Sequence, residues 1–328
     1  MLAACVACLL GPQAAHGQSV TAEAAAVTGV STDDVSAGGV QLRAFGELPG
    51  AVRFFGEAAW ARASAGDNDA FATAYPYDNR VRIIEAYAER IFQPGKAIAA
   101  IRAGRFRTPF GISSASDQGY TGFLRPPLIR YAAYASLSND YLEQGADVVV
   151  GVPRLTFEIG LGAPGDAGPM PRGSGLDTTL RVQGSAGPFI AGVSYLRNHS
   201  YESPADPSFR ASATGLDIRW MQDGVQVRGE WIIGRPVDDA TNNGWYVDAS
   251  IHRVGMGAVT AVARLERLAV VDAGEAEHSM RQTVGARVRL PRNLSLTVNL
   301  VHRSGVGSEE YPAGSLDVGL GWSVRFRR

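Results

Sequence analysis

The sequence predicts an all-β fold: a transmembrane antiparallel up-and-down β-barrel of about 16 strands, with short periplasmic turns and long extracellular loops. Three observations predict it. The last segment, 316–326, alternates strictly between apolar and small or polar residues. Similar segments recur along the chain, and the links between them alternate between short and long.

In the last segment Leu316, Val318, Leu320, Trp322, Val324 and Phe326 share one face, and Ser315, Asp317, Gly319, Gly321, Ser323 and Arg325 share the other. A period of two places alternate side chains on opposite faces of a strand. The pattern returns in Leu155, Phe157, Ile159 and Leu161, and in Val225, Val227, Trp231 and Ile233. It returns again in Val284, Ala286, Val288 and Leu290, and in Leu294, Leu296, Val298 and Leu300. Each segment runs about ten residues, the length of a tilted strand that crosses a bilayer. A soluble exported sandwich also alternates, so the links carry the distinction.

Tight turns are predicted at Leu48-Pro49-Gly50, Gln93-Pro94-Gly95, Val152-Pro153, Ala186-Gly187-Pro188, Gln222-Asp223-Gly224, Gly255-Met256-Gly257 and Pro291-Arg292-Asn293. Longer polar links are predicted at 65–78, 108–139, 164–175, 200–209, 236–242, 270–278 and 304–313. Trp60, Trp231 and Trp245 fall beside the long links, and Trp220 and Trp322 lie toward the tight turns, as two interfacial girdles would require. A first strand at 20–30 keeps the strand number even; without it, a barrel of about 14 strands is the alternative. Between 80 and 91 the alternation fails, because Glu85, Tyr87 and Glu89 share the parity of Val81 and Ile83. A β-bulge there would reset the phase.

Residues 1–17 read as a signal peptide: 2–10 is a short apolar run, and Ala15-His16-Gly17 supplies the small residues of a cleavage site. No Lys or Arg precedes the run. Cleavage after Gly17 removes Cys5 and Cys8, leaving no thiol for a disulfide or a cysteine metal site. The remainder, 18–328, is one barrel domain with an unusually long third loop at 108–139. No later stretch approaches the roughly 20 apolar residues of a spanning helix.

The 31 basic and 32 acidic residues nearly cancel, so net charge indicates no nucleic-acid partner. Lys96 is the single lysine, and arginine carries the remaining positive charge. No histidine stands in a G-x-S-x-G or H-E-x-x-H setting, so the chain is read as a non-enzyme. His302 is placed on the lipid-facing or interfacial side, and His199 and His278 at loop edges. Acidic pairs such as Asp238-Asp239 and Glu309-Glu310 are read as solvated, and neither cofactor nor metal is expected.

The segment Gly104-Arg105-Phe106-Arg107-Thr108-Pro109-Phe110-Gly111 resembles the approach to the third loop in Gram-negative outer-membrane porins, most of all the phosphate-selective porin O and P family. The terminal strand resembles an outer-membrane assembly signal, with Asp317, Gly319, Trp322 and Val324 at its polar, glycine, aromatic and hydrophobic places. Arg327 and Arg328 depart from it by following the final aromatic, and the lone lysine departs from the lysine clusters of phosphate-selective members. The resemblance implies a bacterial outer-membrane pore for passive diffusion of small hydrophilic solutes or ions. It implies a homotrimer that contacts outer-membrane lipids and the barrel-assembly machinery. It also implies that the third loop folds into the lumen.

That loop carries Asp117, Tyr120, Arg125, Arg130, Tyr131 and Tyr134, stiffened by Pro126-Pro127. Charges in a narrow pore set ion preference because water screens them poorly there. Arg105, Arg107, Asp117, Arg125, Arg130, Arg43, Arg53 and Glu57 are the candidate constriction or lumen-lining residues, and the local arginine excess favours anions weakly. Further inward arginines and acids, including Arg181, Arg228, Arg264, Asp147, Asp217, Asp248 and Glu266, read first as a structural ion-pair lattice. The competing functions are a non-conducting structural or adhesive barrel and, behind it, a barrel hydrolase.

Overall fold

The computed structural model describes residues 19–64, 71, 78–93, 95–112, 122–130, 142–164, 176–198, 211–237, 240–252, 258–272, 274–305 and 313–327. They form β1 (Ser19–Ser31), β2 (Ser36–Leu48), β3 (Val52–Ala63), β4 (Asp78–Phe92), β5 (Ile98–Arg107), β6 (Leu142–Val152), β7 (Leu155–Pro164) and β8 (Asp177–Ala186). Then follow β9 (Phe189–Asn198), β10 (Ala211–Gln222), β11 (Val225–Val237), β12 (Ala240–His252), β13 (Val259–Asp272), β14 (Glu275–Leu290), β15 (Leu294–Gly305) and β16 (Gly314–Arg327). Each strand pairs antiparallel with its sequence neighbours, and β1 pairs with β16 to close the barrel. The expected first strand is therefore β1, and the count is 16.

Alternation decides which residue faces which solvent. On β16, Ser315 and Asp317 are buried on the inner face, whereas Leu320 is 44%, Trp322 41% and Phe326 54% exposed on the outer face. Exposed apolar side chains recur around the wall, among them Val148, Ile159, Val193, Ile218, Val247 and Leu300. An apolar belt this extensive is stable against lipid and not against water. No described helix is long and apolar enough to cross a membrane, and the strands themselves form the crossing.

The predicted phase reset is a bulge at Ile84. Glu57 pairs with Glu85 but Ala58 pairs with Ile83, so Ile84 is the extra residue on β4. Val81 and Ile83 point out at 76% and 61% exposure, Ile84 is buried, and Glu85 continues on the inner face. The bulge thus rescues an alternation that reads as broken. At the turn between β10 and β11, Asp223 and Gly224 both have positive φ, 50° and 79°, the geometry of a type I′ hairpin.

Two predicted long links are corrected. The 236–242 link shrinks to residues 238–239, because β11 runs to Val237 and β12 starts at Ala240. The 270–278 link shrinks to 273–274, between β13 and β14, so His278 lies within a strand. Both errors have one cause: these strands carry polar residues to their tips, where lipid no longer demands an apolar face. Trp231 and Trp245 consequently lie well inside their strands, paired with each other, rather than beside long loops. The residues of the predicted turn at 255–257 and most of the other long links lie outside the described residues.

Candidate functional site

The third loop enters the barrel. After β5 the side chain of Pro109 lies beside Gly160 of β7, and Phe110 lies beside Gly215 of β10. The Gly111 N–H donates to Ser194 Oγ on β9 at 3.1 Å. Glycines on the inner wall leave room for these close approaches. Residues 113–121, including Asp117 and Tyr120, lie outside the described residues.

Residues 122–129 lie buried on the wall of β12 to β16. A buried loop must satisfy its backbone polar groups, and the wall provides the partners. Asn299 on β15 clasps the segment with both ends of its amide: Nδ2 donates to the Gly122 carbonyl at 3.0 Å, and Oδ1 accepts from the Leu124 N–H at 2.8 Å. The Arg125 carbonyl accepts from Arg264 at 2.9 Å, and the Pro126 carbonyl accepts from Arg281. Pro126 and Pro127 bring no N–H, so carbonyls dominate this stretch and arginines meet them. The Leu128 N–H donates to Glu266 at 2.6 Å, and Arg281 pairs with the other oxygen of that carboxylate at 2.6 Å.

Apolar contacts complete the docking. Leu128 and Ile129 join Phe110, Leu196, Ala213, Ile232, Tyr246 and Leu268 in one buried cluster. The Arg264 guanidinium lies 3.9 Å from the Phe123 ring centre, a close cation–π contact.

Arg125 is the strongest tie. Its Nε donates to Asp317 Oδ2 at 2.8 Å, and its Nη2 reaches Asp317 Oδ1 at 3.2 Å and Asp33 Oδ2 at 2.9 Å. The Phe71 ring lies 4.9 Å from the guanidinium. Asp33 belongs to the β1–β2 connection and also pairs with Arg303 at 3.0 Å. One arginine of the third loop thereby joins the first connection to the last strand.

Burial works against charge on Asp33, but the Ser31 hydrogen bond and the charges of Arg125 and Arg303 outweigh it and hold the carboxyl below its ordinary range. A lowered folded pKa stabilises the barrel at all pH values above the unfolded pKa, and the contribution fades as pH falls through the folded value. The tie should therefore survive mild acid and weaken only below the usual carboxylate range. Asp33→Asn should abolish that low-pH loss, and unfolding midpoints measured across acidic pH will show whether it does.

The remaining inner wall is an ion-pair lattice. Glu57 receives Arg43 at 2.7 Å and Arg107 at 3.1 Å, and Arg107 also meets Glu85 at 3.2 Å. Arg102 bridges Asp147 at 2.7 Å and Glu158 at 2.9 Å. Arg181 pairs with Asp217 at 2.8 Å, and Asp248 receives Arg228 at 2.8 Å and Arg264 at 3.1 Å.

Of the predicted site residues, Arg43, Glu57 and Arg107 form one cluster. Arg125 lies inside the barrel with its charge compensated by two carboxylates. Arg53 pairs with Glu47 at 2.9 Å near the β2–β3 turn, and both are more than half exposed. Arg105 falls on the outward row, opposite Ala86 and Gln144, and donates to the Ile84 carbonyl at 3.3 Å. The side chain of Arg130 lies outside the described residues. Sequence reading missed Arg281, Asn299 and Asp33 as loop anchors. Arg281 and Asn299 share the inward parity of Thr283 and Thr297 and were findable; Asp33, in a short connection, carries no such signal.

No family model matches the sequence, and no curated protein is similar to it at the sequence level. Solved structures do match. OprB of Pseudomonas putida superposes with a TM-score of 0.64 at 10% identity, covering 94% of this chain and 94% of its own. OmpF of Salmonella typhi, in complex with daunomycin, gives 0.62 at 11% identity, with 94% of this chain and 97% of its own covered. An anion-selective porin from Comamonas acidovorans gives 0.57 at 12% identity, with 95% and 99% covered. The fold is that of Gram-negative outer-membrane porins.

Proposed function

On this porin fold, we propose that the chain is a bacterial outer-membrane porin through which small hydrophilic solutes and ions diffuse passively. The lodged third loop carries the reading. A barrel serving only as a scaffold has no need for a polar wall organised to hold a loop inside it. The Arg43, Glu57, Arg107 and Glu85 cluster gives the passage charged walls of both signs. The chain works without enzymatic chemistry, and its synthesis includes a signal peptide at 1–17 and delivery to the barrel-assembly machinery.

The pore has a weak anion preference. Arg125 and Arg107 are compensated by carboxylates, so the preference rests on inner-wall arginines with neutral partners, such as Arg219 on Gln183 at 3.0 Å. The likeness to a porin described as anion-selective favours the same sign. Within the porins, the segment from Gly104 to Gly111 supports a place near the phosphate-selective group, without the lysines that would select phosphate. The working assembly is a homotrimer, and a gel of unheated against heated protein reads it directly.

Planar-bilayer recording is the decisive experiment. Folded protein should insert in discrete conductance steps, and a salt gradient should give an anion-selective reversal potential that moves toward cations in Arg219→Gln. Absence of current from folded protein would favour the non-conducting structural barrel instead.

A further inference from the structure

One stretch of the inner wall carries aromatic rings that remain open to the lumen. Phe45 on β2, Phe55 on β3 and Tyr87 on β4 stand in direct register, and they share the inward face of Arg43, Glu57 and Glu85. Their rings form one strip. The Phe45 and Phe55 ring centres lie 6.4 Å apart with the planes at 22°, and those of Phe55 and Tyr87 lie 5.3 Å apart at 20°. The strip continues onto β5, where the Arg102 guanidinium lies 5.2 Å from the Tyr87 ring centre and 4.6 Å from that of Phe106.

All three rings are half-buried, whereas the other described aromatics inside the barrel are buried: Phe71 and Phe106 at 0%, Tyr246 at 1%, Phe123 at 2% and Phe110 at 5% exposure. From Pro109 onward, the described third-loop segments dock on β7 to β16 and leave this wall aside. Rings that face water forgo the free energy of burial, which a solute covering them would recover. The strip is bordered by ion pairs. Glu47 and Arg53 lie two residues toward the turns, 2.9 Å apart, and Arg43 and Glu57 lie two residues toward the loops, 2.7 Å apart. Arg102 is held by Asp147 at 2.7 Å and by Glu158 at 2.9 Å. An ionic solute would have to compete with these pairs. A hydroxyl would not, because it can donate to a carboxylate lone pair and accept from a guanidinium N–H without separating them.

We propose that Phe45, Phe55 and Tyr87 form a binding subsite for neutral saccharides passing through the lumen. A pyranose ring carries both surfaces that this wall complements. Its C–H face covers an aromatic ring, and its rim of hydroxyls serves carboxylate and guanidinium alike. Three adjacent rings suit a short chain of sugars, which moves from ring to ring along the wall. Each contact is weak and repeated, as passage through a pore requires. The subsite rests on the conducting reading and names a solute class for it. The anion preference concerns Arg219 on β10, in a different part of the wall.

The test records ion current through the full-length barrel in a planar bilayer while maltotriose is added. The current should fall saturably with concentration, and it should fall less with a polyethylene glycol of equal size, which has no ring face. Phe55→Leu and Tyr87→Leu keep apolar bulk but remove the ring, and each should weaken the block roughly three- to tenfold. Tyr87→Phe should keep it, as should Phe157→Ala on the outward face of β7. Heated and unheated gels establish that each variant is folded. Equal block by the glycol, or undiminished block in both leucine variants, would overturn the proposal and leave the porin reading intact. Stronger block by benzoate than by maltotriose would overturn it in favour of aromatic anions, and stronger block by tetraethylammonium in favour of organic cations. A folded barrel that passes no current would refute the porin reading by itself. Calorimetry of maltotriose with the barrel, in a detergent lacking a sugar headgroup, then decides the subsite: binding that is lost in the leucine variants supports it, and absence of binding overturns it.

Discussion

Replacing Arg125 by alanine should lower the thermal unfolding midpoint of the barrel and free its third loop. Asp317, fully buried on β16, would keep only hydroxyl partners such as Ser31, at 2.5 Å. Asp33 would still have Arg303. A buried carboxylate deprived of its cation typically costs roughly 3–5 kcal/mol. Arg125→Lys should recover only part of this, because an ammonium cannot span two carboxylates as the planar fork does. Arg125→Leu combined with Asp317→Asn should recover stability, since no uncompensated charge remains, but it should not restore the loop. Heat-modifiability gels read the stability, and single-channel traces read the loop as added current noise and altered conductance. An unchanged midpoint in Arg125→Ala would show that the tie is incidental.

The second large effect is expected at Gly104, within the segment that resembles porins. Its φ is +133°, where side chains other than hydrogen are strained, and a Cβ there would fall 2.3 Å from the Ala86 carbonyl oxygen and 2.7 Å from the Tyr87 Cα. Both obstacles are backbone of the adjacent strand and cannot swing away. Gly104→Val should therefore prevent β4 and β5 from pairing, with little folded protein recovered; the backbone strain alone costs roughly 1–3 kcal/mol. Gly319→Val provides the contrast. A Cβ at Gly319 meets the Leu124 side chain at 2.5 Å, so the wall can form while the loop is displaced. The first variant should be lost from gels of folded protein, and the second should be recovered with altered conductance. Recovery of folded Gly104→Val in normal yield would refute the close-approach account.

The wall was legible in the sequence because lipid on one side and water on the other force a period of two, and residues 316–326 carry it without interruption. The bulge was legible as well, since the parity break at Glu85 has a single geometric remedy. The tips of β11 to β14 were not. There Asn242, Asn243 and Glu275 sit in strands that have left the lipid, and a polar strand tip looks like a loop. The third loop could be found by its length, its prolines and its arginines. What it binds could not, because Asp33 and Asp317 become neighbours only when β1 closes on β16, a relation that local pattern does not carry.

That closure sets a timetable. The anchors of the third loop arrive late in the chain: Arg125 and Asp317 are 192 residues apart, and Ser31 and Asp317 are 286 apart. Contacts between such distant residues carry the greatest loop-closure entropy and form late. Until β16 emerges, β1 presents an unpaired edge and Arg125 of the third loop lacks Asp317. The Arg125 tie and the sealing of the seam are thus completed together, as a terminal event. A chain truncated before β16 would therefore lack both the seam and the Arg125 tie, leaving an open sheet whose free edges invite association with other chains.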